Sequence, residues 1–258
     1  AHLTITANDQ DIDHGDNTPT LSYVIDGFVN HDDASDVSGI PLLTTSADSS
    51  SSAGHYAIDV AQGSLASNNY VFDLVPGTLT VHPQVVDVRV SWGSQSMSIL
   101  GLGRDLPFSN IRAIDVIFSD DVSVDAADLS LVSAVTPSNL YPVAGFEYNP
   151  TTHRATWTLS DSLGLDRLSL SLDGDATGHD GIRYAGGIYL GAYSTEFSVL
   201  PGDVNGDRRV DSLDMVASRD GILGVLDQAL EVWADTDGNG KIDINDYLAI
   251  RKFVGKRF

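Results

Sequence analysis

Apolar and polar residues alternate with a period of two through most of this chain, in short runs broken by clusters of Gly, Pro, Ser and Asp. That is the pattern of half-buried β-strands, whose successive side chains point to opposite faces of a sheet. It predicts strands at 3–7, 21–25, 55–61, 70–74 and 78–82, with Pro76-Gly77 as a hairpin-like turn between the last pair. The serine-rich stretch 44–52 reads as a loop. A second set is expected at 85–91, where VVDVRVSW alternates strictly, and at 97–100, 113–118, 129–135, 145–148, 155–159, 167–172 and 196–200. Seven or eight short strands in about 115 residues predict a β-sandwich, with Trp92 and Trp157 as core residues.

After residue 200 the period changes. Apolar residues recur at three- and four-residue spacing in 212–223, 224–234 and 244–254, which predicts three helices. Leu213, Val216 and Ala217 are expected to face inward from the first. Leu226, Leu230 and Trp233 should share one face of the second, and Tyr247, Leu248 and Phe253 should pack from the third. The expected fold is mostly β: a small β-rich N-terminal module, a β-sandwich middle domain, and a C-terminal all-α module of paired EF-hand-like loops.

Charge sharpens the boundaries. Residues 1–83 hold eleven aspartates and no lysine or arginine, residues 84–200 hold fourteen acidic and six basic residues, and residues 201–258 hold eleven and eight. These steps place expected domains at 1–83, 84–200 and 201–258. The formal net charge of −22 argues against nucleic acid or an anionic membrane as partner. It suits a secreted or cell-surface protein that carries divalent cations. No apolar run of eighteen residues predicts membrane insertion, and no cysteine is present to form a disulfide. The opening AHLTITAND is in strand pattern from residue 3, which is expected of a piece of a longer polypeptide.

The chemistry concentrates in two twelve-residue loops that begin 32 residues apart, DVNGDRRVDSLD at 203–214 and DTDGNGKIDIND at 235–246. Oxygen side chains fall at positions 1, 3, 5, 9 and 12 of both: Asp203, Asn205, Asp207, Asp211 and Asp214, then Asp235, Asp237, Asn239, Asp243 and Asp246. With the position 7 carbonyls of Arg209 and Lys241, this spacing wraps six or seven hard oxygen ligands around one ion, which suits calcium, since magnesium wants a tighter octahedron with fewer protein ligands and a soft metal would want cysteine. Two Ca2+ ions are expected. At position 8, Val210 and Ile242 should point into a shared core while the loops exchange a short backbone pairing. Position 6, which usually needs a left-handed backbone, is Gly240 in the second loop and Arg208 in the first, at a cost of roughly 1 kcal/mol if that conformation is required.

GDVNGD, an aspartate-closed loop and a helix, then a second loop and helix, resemble a type I dockerin over about 58 residues, and Pro201-Gly202 fits that family's lack of an entering helix. The resemblance implies a calcium-folded module that binds a cohesin through its first and third helices. The family's partner-selecting positions fall at Ser212 and Leu213 in the first repeat and at Ile244 and Asn245 in the second. Farther along, Arg219 matches Arg251, whereas Asp220 faces Lys252, so the two halves are not equivalent.

Two further resemblances concern the β segments. ITAND, GDNTPTLSYVIDGFV at 15–29, the SG pair at 38–39, AGHYAIDV at 53–60, and NYVF followed by GTLTV resemble the MBG modules of bacterial surface and adhesion proteins, with His14 where the family usually has tyrosine. Such modules are non-catalytic spacers. IDVIFSDDVSVDAADLSL at 114–131 and LSLDGDATGHDG at 170–181 resemble bacterial immunoglobulin-like domains.

Further calcium positions in the β domains are conceivable at Asp9, Asp11, Asp13 and Asp16, at Asp120, Asp121, Asp125 and Asp128, and at Asp173, Asp175, His179 and Asp180. The alternative is a solvated strand edge for the first cluster and ordinary Asp-Gly turns for the others. No metal-ligand histidine spacing, phosphate loop or nucleophile elbow occurs, and no catalytic residue is assigned. The expected function is the non-catalytic C-terminal region of a large extracellular protein, with a cohesin-like domain as partner. Two alternatives stand beside it: a calcium-locked cap packed in cis on the neighbouring β-sandwich, and an accessory region of a polysaccharide-degrading enzyme.

Overall fold

The computed structural model describes all residues except 136–139, 174–180 and 185. The chain forms two compact units, one of residues 1–84 with 184–189 and the other of residues 85–183 with 190–258.

The first unit holds β1 (His2–Ala7), β2 (Gln10–Asp13), β3 (Tyr23–Asp26), β4 (Leu42–Thr45), β5 (Gly54–Ala61), β6 (Val71–Val75) and β7 (Gly77–His82). They make a three-stranded sheet ordered β3-β1-β6 and a four-stranded sheet ordered β2-β7-β5-β4. Leu3, Ile5 and Ala7 are buried between half-exposed threonines, which realises the period-two pattern. Pro76-Gly77 does not make a hairpin. β6 runs parallel to β1 in one sheet while β7 joins β5 in the other, so the chain changes sheets at Pro76. Gly77 is required there, because a Cβ would lie 2.6 Å from the carbonyl oxygen of Ala7.

Two strands were not visible in the pattern. β2 buries a single apolar residue, Ile12, and β4 buries none fully, so neither alternates in sequence. Thr44 and Thr45 therefore belong to a strand, and the serine-rich loop starts after them. Asp11 and Asp13 are exposed on β2, the edge of its sheet, as a solvated edge requires.

From residue 85 the strands are β8 (Val85–Trp92), β9 (Gln95–Ser98), β10 (Ile111–Phe118), β11 (Val122–Ser123), β12 (Leu129–Ser133), β13 (Val143–Asn149), β14 (Arg154–Leu159), β15 (Asp166–Leu172), β16 (Arg183–Tyr184) and β17 (Tyr193–Val199). A five-stranded sheet ordered β13-β14-β10-β8-β9 and a three-stranded sheet ordered β12-β15-β17 share one core. Val88, Val90 and Trp92 enter it from β8, Ile114, Val116 and Phe118 from β10, and Leu168, Leu170 and Leu172 from β15. Trp92 and Trp157 are buried there. On the outer face Asp115 is also buried, and accepts hydrogen bonds from Arg154 at 2.7 Å, Thr156 at 2.6 Å and Ser91 at 3.0 Å, which satisfies its charge.

Three helices follow, α1 (Ser212–Ile222), α2 (Gln228–Ala234) and α3 (Ile244–Arg251). Their core is Leu200, Val204, Val210, Ala217, Ala234 and Ile250. Leu213, Val216 and Leu248 do not face inward: they are 58%, 39% and 43% exposed. The inward stripe of α1 is Asp214, Ala217 and Ser218. Asp214 closes the first loop from inside the first helical turn, and that fixes the rotation of the whole helix. Positions three and four residues on then point inward, and Leu213 and Val216 are carried to the surface.

The helices and the sandwich lie in the same compact unit. Trp233 of α2 stacks on Phe108 with centroids 5.9 Å apart, Phe108 stacks on Trp92 at 3.6 Å, and the Arg104 guanidinium lies over the Trp233 ring, 4.0 Å from its centroid. Among the described residues no helix is long and apolar enough to cross a membrane.

Candidate metal centre

The two loops are built on the same plan. In the first, Asp203 Oδ1 accepts from the amides of Gly206 and Asp207 and its Oδ2 from Arg208. In the second, Asp235 Oδ1 accepts from Gly238 and Asn239 and its Oδ2 from Gly240. Asp214 accepts from Asn205 and Asp211, and Asp246 accepts from Thr236, Asp237 and Asp243. The chain thus curls around the carboxylates at positions 1 and 12.

Positions 9 and 12 also start the helices. Asp211 caps α1 by accepting from Leu213, while Asp214 reaches back to the Asp211 amide; Asp243 and Asp246 repeat this reciprocal capping at α3. The carboxylates sit where the helix dipole favours negative charge. Arg208 at position 6 has φ 67° and Gly240 has φ 83°, so both loops use the left-handed backbone there, and the first does so without glycine.

The electrostatics call for a cation. Asp203, Asp214, Asp235 and Asp246 are all buried. Burial pushes the Asp203 carboxyl up to about 6, with the neighbouring charge of Asp214 adding to it against the amides of Arg208 and Gly206. Burial likewise holds Asp214, Asp235 and Asp246 above the ordinary carboxylate range. Buried carboxylates of like charge are costly unless a positive charge joins them. Oxygens of Asp235, Asp237 and Asp246 lie within 4.8 Å of one another, the one such group among the described residues. An all-oxygen donor set of this density fits a hard divalent cation.

The structure brings the remaining positions to the same places. Asn205 and Asp207 bond each other at 3.2 Å, as do Asn239 and Asp237, while Asn239 also approaches Asp243 at 3.5 Å. Arg209 and Lys241 are exposed, with amides bonded to Asp207 and Asn239. Val210 is buried, but its backbone partners are Lys256 and Gly255 rather than Ile242. The C-terminal tail takes the place expected for the second loop. Ile242 still packs against the same core as Val210, and it also meets α1, where a Cβ on Gly221 would lie 2.7 Å from its side chain.

The helix positions face outward. Ser212, Arg219, Asn245, Arg251 and Lys252 are exposed, and Leu213 and Ile244 are each 58% exposed, at loop positions 11 and 10, where the other repeat has Asn245 and Ser212 respectively. Asn245, Arg251 and Lys252 line an open groove of about 740 Å³ with Asp237, Leu248, Ala249 and Ser109. Arg219 donates to its neighbour Asp220, at 2.6 Å.

The aspartates of the β segments are arranged differently. Asp125 and Asp128 cap a short helical turn, and neither they nor Asp120, Asp121, Asp9, Asp11, Asp13 and Asp16 gather into a comparable group among the described residues. Asp175, His179 and Asp180 lie outside the described residues.

Sequence reasoning did not find the residues that meet the loops from the sandwich. Trp92 Nε1 donates to the Asp235 carbonyl at 2.9 Å, Ser94 donates to the Gly238 carbonyl through its amide at 2.9 Å and its Oγ at 3.0 Å, and Ser109 does the same to Thr236 at 2.9 and 3.3 Å. Arg104 Nη2 donates to the carbonyls of Asp203 at 2.9 Å and Val204 at 2.8 Å. The acceptors are backbone atoms, which leave no trace in side-chain pattern.

Comparison with known proteins agrees at both ends. Residues 3–80 match the MBG domain (YGX type) and residues 201–255 match the dockerin type I domain. An MBG-type domain is therefore present N-terminally and a dockerin type I domain C-terminally; both are non-catalytic families, and the MBG domain marks a secreted or cell-surface protein. No curated protein matches the chain. Solved structures with similarity to it include the structure of surface layer protein SbsC, domains 1-6, and the crystal structure of the S-layer protein rSbsC(31-844). Each is 17% identical with a TM-score of 0.32, over 46% of this chain and 14% of that chain, a likeness too slight to carry an argument.

Proposed function

We propose that this chain is a three-part, non-catalytic region of an extracellular protein, with an MBG module at 1–83, an immunoglobulin-like sandwich at 84–200 and a dockerin module at 201–258 that folds around two calcium ions and captures a cohesin-like domain. The ligands are Asp203, Asn205, Asp207, Asp211 and Asp214 with the Arg209 carbonyl, and Asp235, Asp237, Asn239, Asp243 and Asp246 with the Lys241 carbonyl. Calcium supplies the charge that lets the buried carboxylates stay ionised, so binding energy becomes folding energy.

One observation carries the partner reading: Leu213 of the first repeat and Ile244 of the second, each just before its loop's closing aspartate, leave 58% of their surface exposed on helices whose loops are turned toward the sandwich. Apolar side chains flanked by Ser212, Arg219, Asn245, Arg251 and Lys252 have the make-up of a recognition surface, an apolar centre within a polar rim. Titration of the calcium-loaded chain with cohesin domains tests it. Saturable binding lost on Leu213→Asp or Ile244→Asp is the expected result; wild-type chain that binds no cohesin would overturn the partner assignment.

The cis reading is favoured by a separate observation, the hydrogen bonds from Trp92, Ser94, Arg104 and Ser109 into the loop backbones. Packing through the loops leaves Leu213 and Ile244 free, so a fixed cap and a trans-acting dockerin are compatible in one molecule.

A further inference from the structure

We infer that the sandwich is part of the second calcium site: the turn between β8 and β9, together with Ser109, holds that loop in its closed form and so raises its affinity for the ion. This rests on the calcium reading and adds residues that ligate nothing.

Five hydrogen bonds enter the first four residues of the second loop from the sandwich, onto the carbonyls of Asp235, Thr236 and Gly238. The same residues point their amides at the ligands. Gly238 N–H donates to Asp235 Oδ1 at 2.9 Å and Thr236 N–H to Asp246 Oδ1 at 2.7 Å. Each of these two residues therefore spans from a sandwich donor to a ligand carboxylate. The fit depends on two glycines meeting directly. Gly93 has φ 54° and Gly238 has φ 75°, and a Cβ on either would collide with the other segment's backbone. All donors here are neutral, so they fix the loop without repelling a cation.

The first loop is treated differently. Among the described residues its sandwich donor is Arg104, whose positive charge opposes an ion even as it orders the backbone. That loop also carries the strained Arg208. The second site should therefore be the tighter one.

An ordered loop has already lost the conformational freedom that closing around an ion would otherwise remove. Hydrogen bonds of this kind contribute enough that disrupting two or three weakens binding about tenfold. By linkage, calcium in the second loop must strengthen its docking to the sandwich by the same factor.

Calorimetric titration of the intact chain with calcium tests this, with Asp235→Asn used to assign the second site. Two variants disturb the support: Trp92→Phe keeps the ring stack on Phe108 but lacks the donor, and Gly93→Ala pushes the turn off Gly238. Gly93→Ala should weaken the second site about tenfold and Trp92→Phe, which removes one bond, about threefold, and both should leave the first unchanged. Two wild-type sites whose affinities are the same in both variants would overturn the inference and leave the calcium reading standing, whereas wild type that takes up no calcium would overturn both. Should Gly93→Ala not fold, the reciprocal measurement decides. The three tryptophans all lie beyond residue 84, so their fluorescence follows the unfolding of this unit alone; calcium must raise that midpoint in wild type and raise it less in Trp92→Phe, which keeps every ligand, and equal rises would sink the coupling.

Discussion

Arg208 and Gly240 occupy the same place in the two loops and adopt the same left-handed backbone, with φ of 67° and 83°. For a residue with a Cβ that conformation costs roughly 1–2 kcal/mol, partly offset because glycine loses more entropy on folding. Arg208→Gly should stabilise the calcium-loaded chain by about 1 kcal/mol or less in a denaturant titration, and Gly240→Ala should destabilise it by about as much. A destabilised Arg208→Gly would mean that the arginine side chain makes a contact worth more than the strain.

Chelation should act on one unit only. Each site contributes roughly 2.7 kcal/mol when calcium is a hundredfold above its Kd, and losing two lowers the midpoint of a unit this size by on the order of 10 °C. Tryptophan fluorescence should report that fall, while a calorimetric transition from residues 1–84 stays in place. Equal shifts in both would contradict the assignment of the ions to the C-terminal loops.

Leu213 and Ile244 should be dispensable for folding. At 58% exposure each, replacement by Ser changes stability by no more than about 0.5 kcal/mol, and calcium titration should be unaltered. A large loss of stability in either variant would place these side chains in a core.

Trp233 should be indispensable. It joins α2 to the sandwich through Phe108 and Arg104, so Trp233→Ala is expected to cost about 3 kcal/mol, the lower end for a large aromatic because the ring is only half-buried. Equilibrium unfolding of the intact chain measures it, and a cost near zero would show that the stack contributes nothing.

The legible part of this fold was whatever repeats at short range. Aspartates at fixed spacing located both loops, and strict alternation located β1, β8 and β15, because ligand geometry and strand pleat are written in consecutive residues. The rotation of α1 was not legible: Leu213 and Val216 look like an inward face, yet closing the loop at Asp214 decides which side turns in. Nor was the partner of Val210, since the tail residues Gly255 and Lys256 meet it through backbone atoms. The role of Gly93 was hidden for the same reason. A glycine in a strand turn reads as punctuation, and only the close approach of Gly238 reveals what it makes room for.

The most direct test of the whole account is the calcium stoichiometry of the intact chain, measured by titration calorimetry after exhaustive chelation. Two ions per chain are expected, with Asp214→Asn and Asp246→Asn each losing a different one. A wild-type chain that binds no calcium, or that binds it unchanged when both aspartates are replaced, would contradict it.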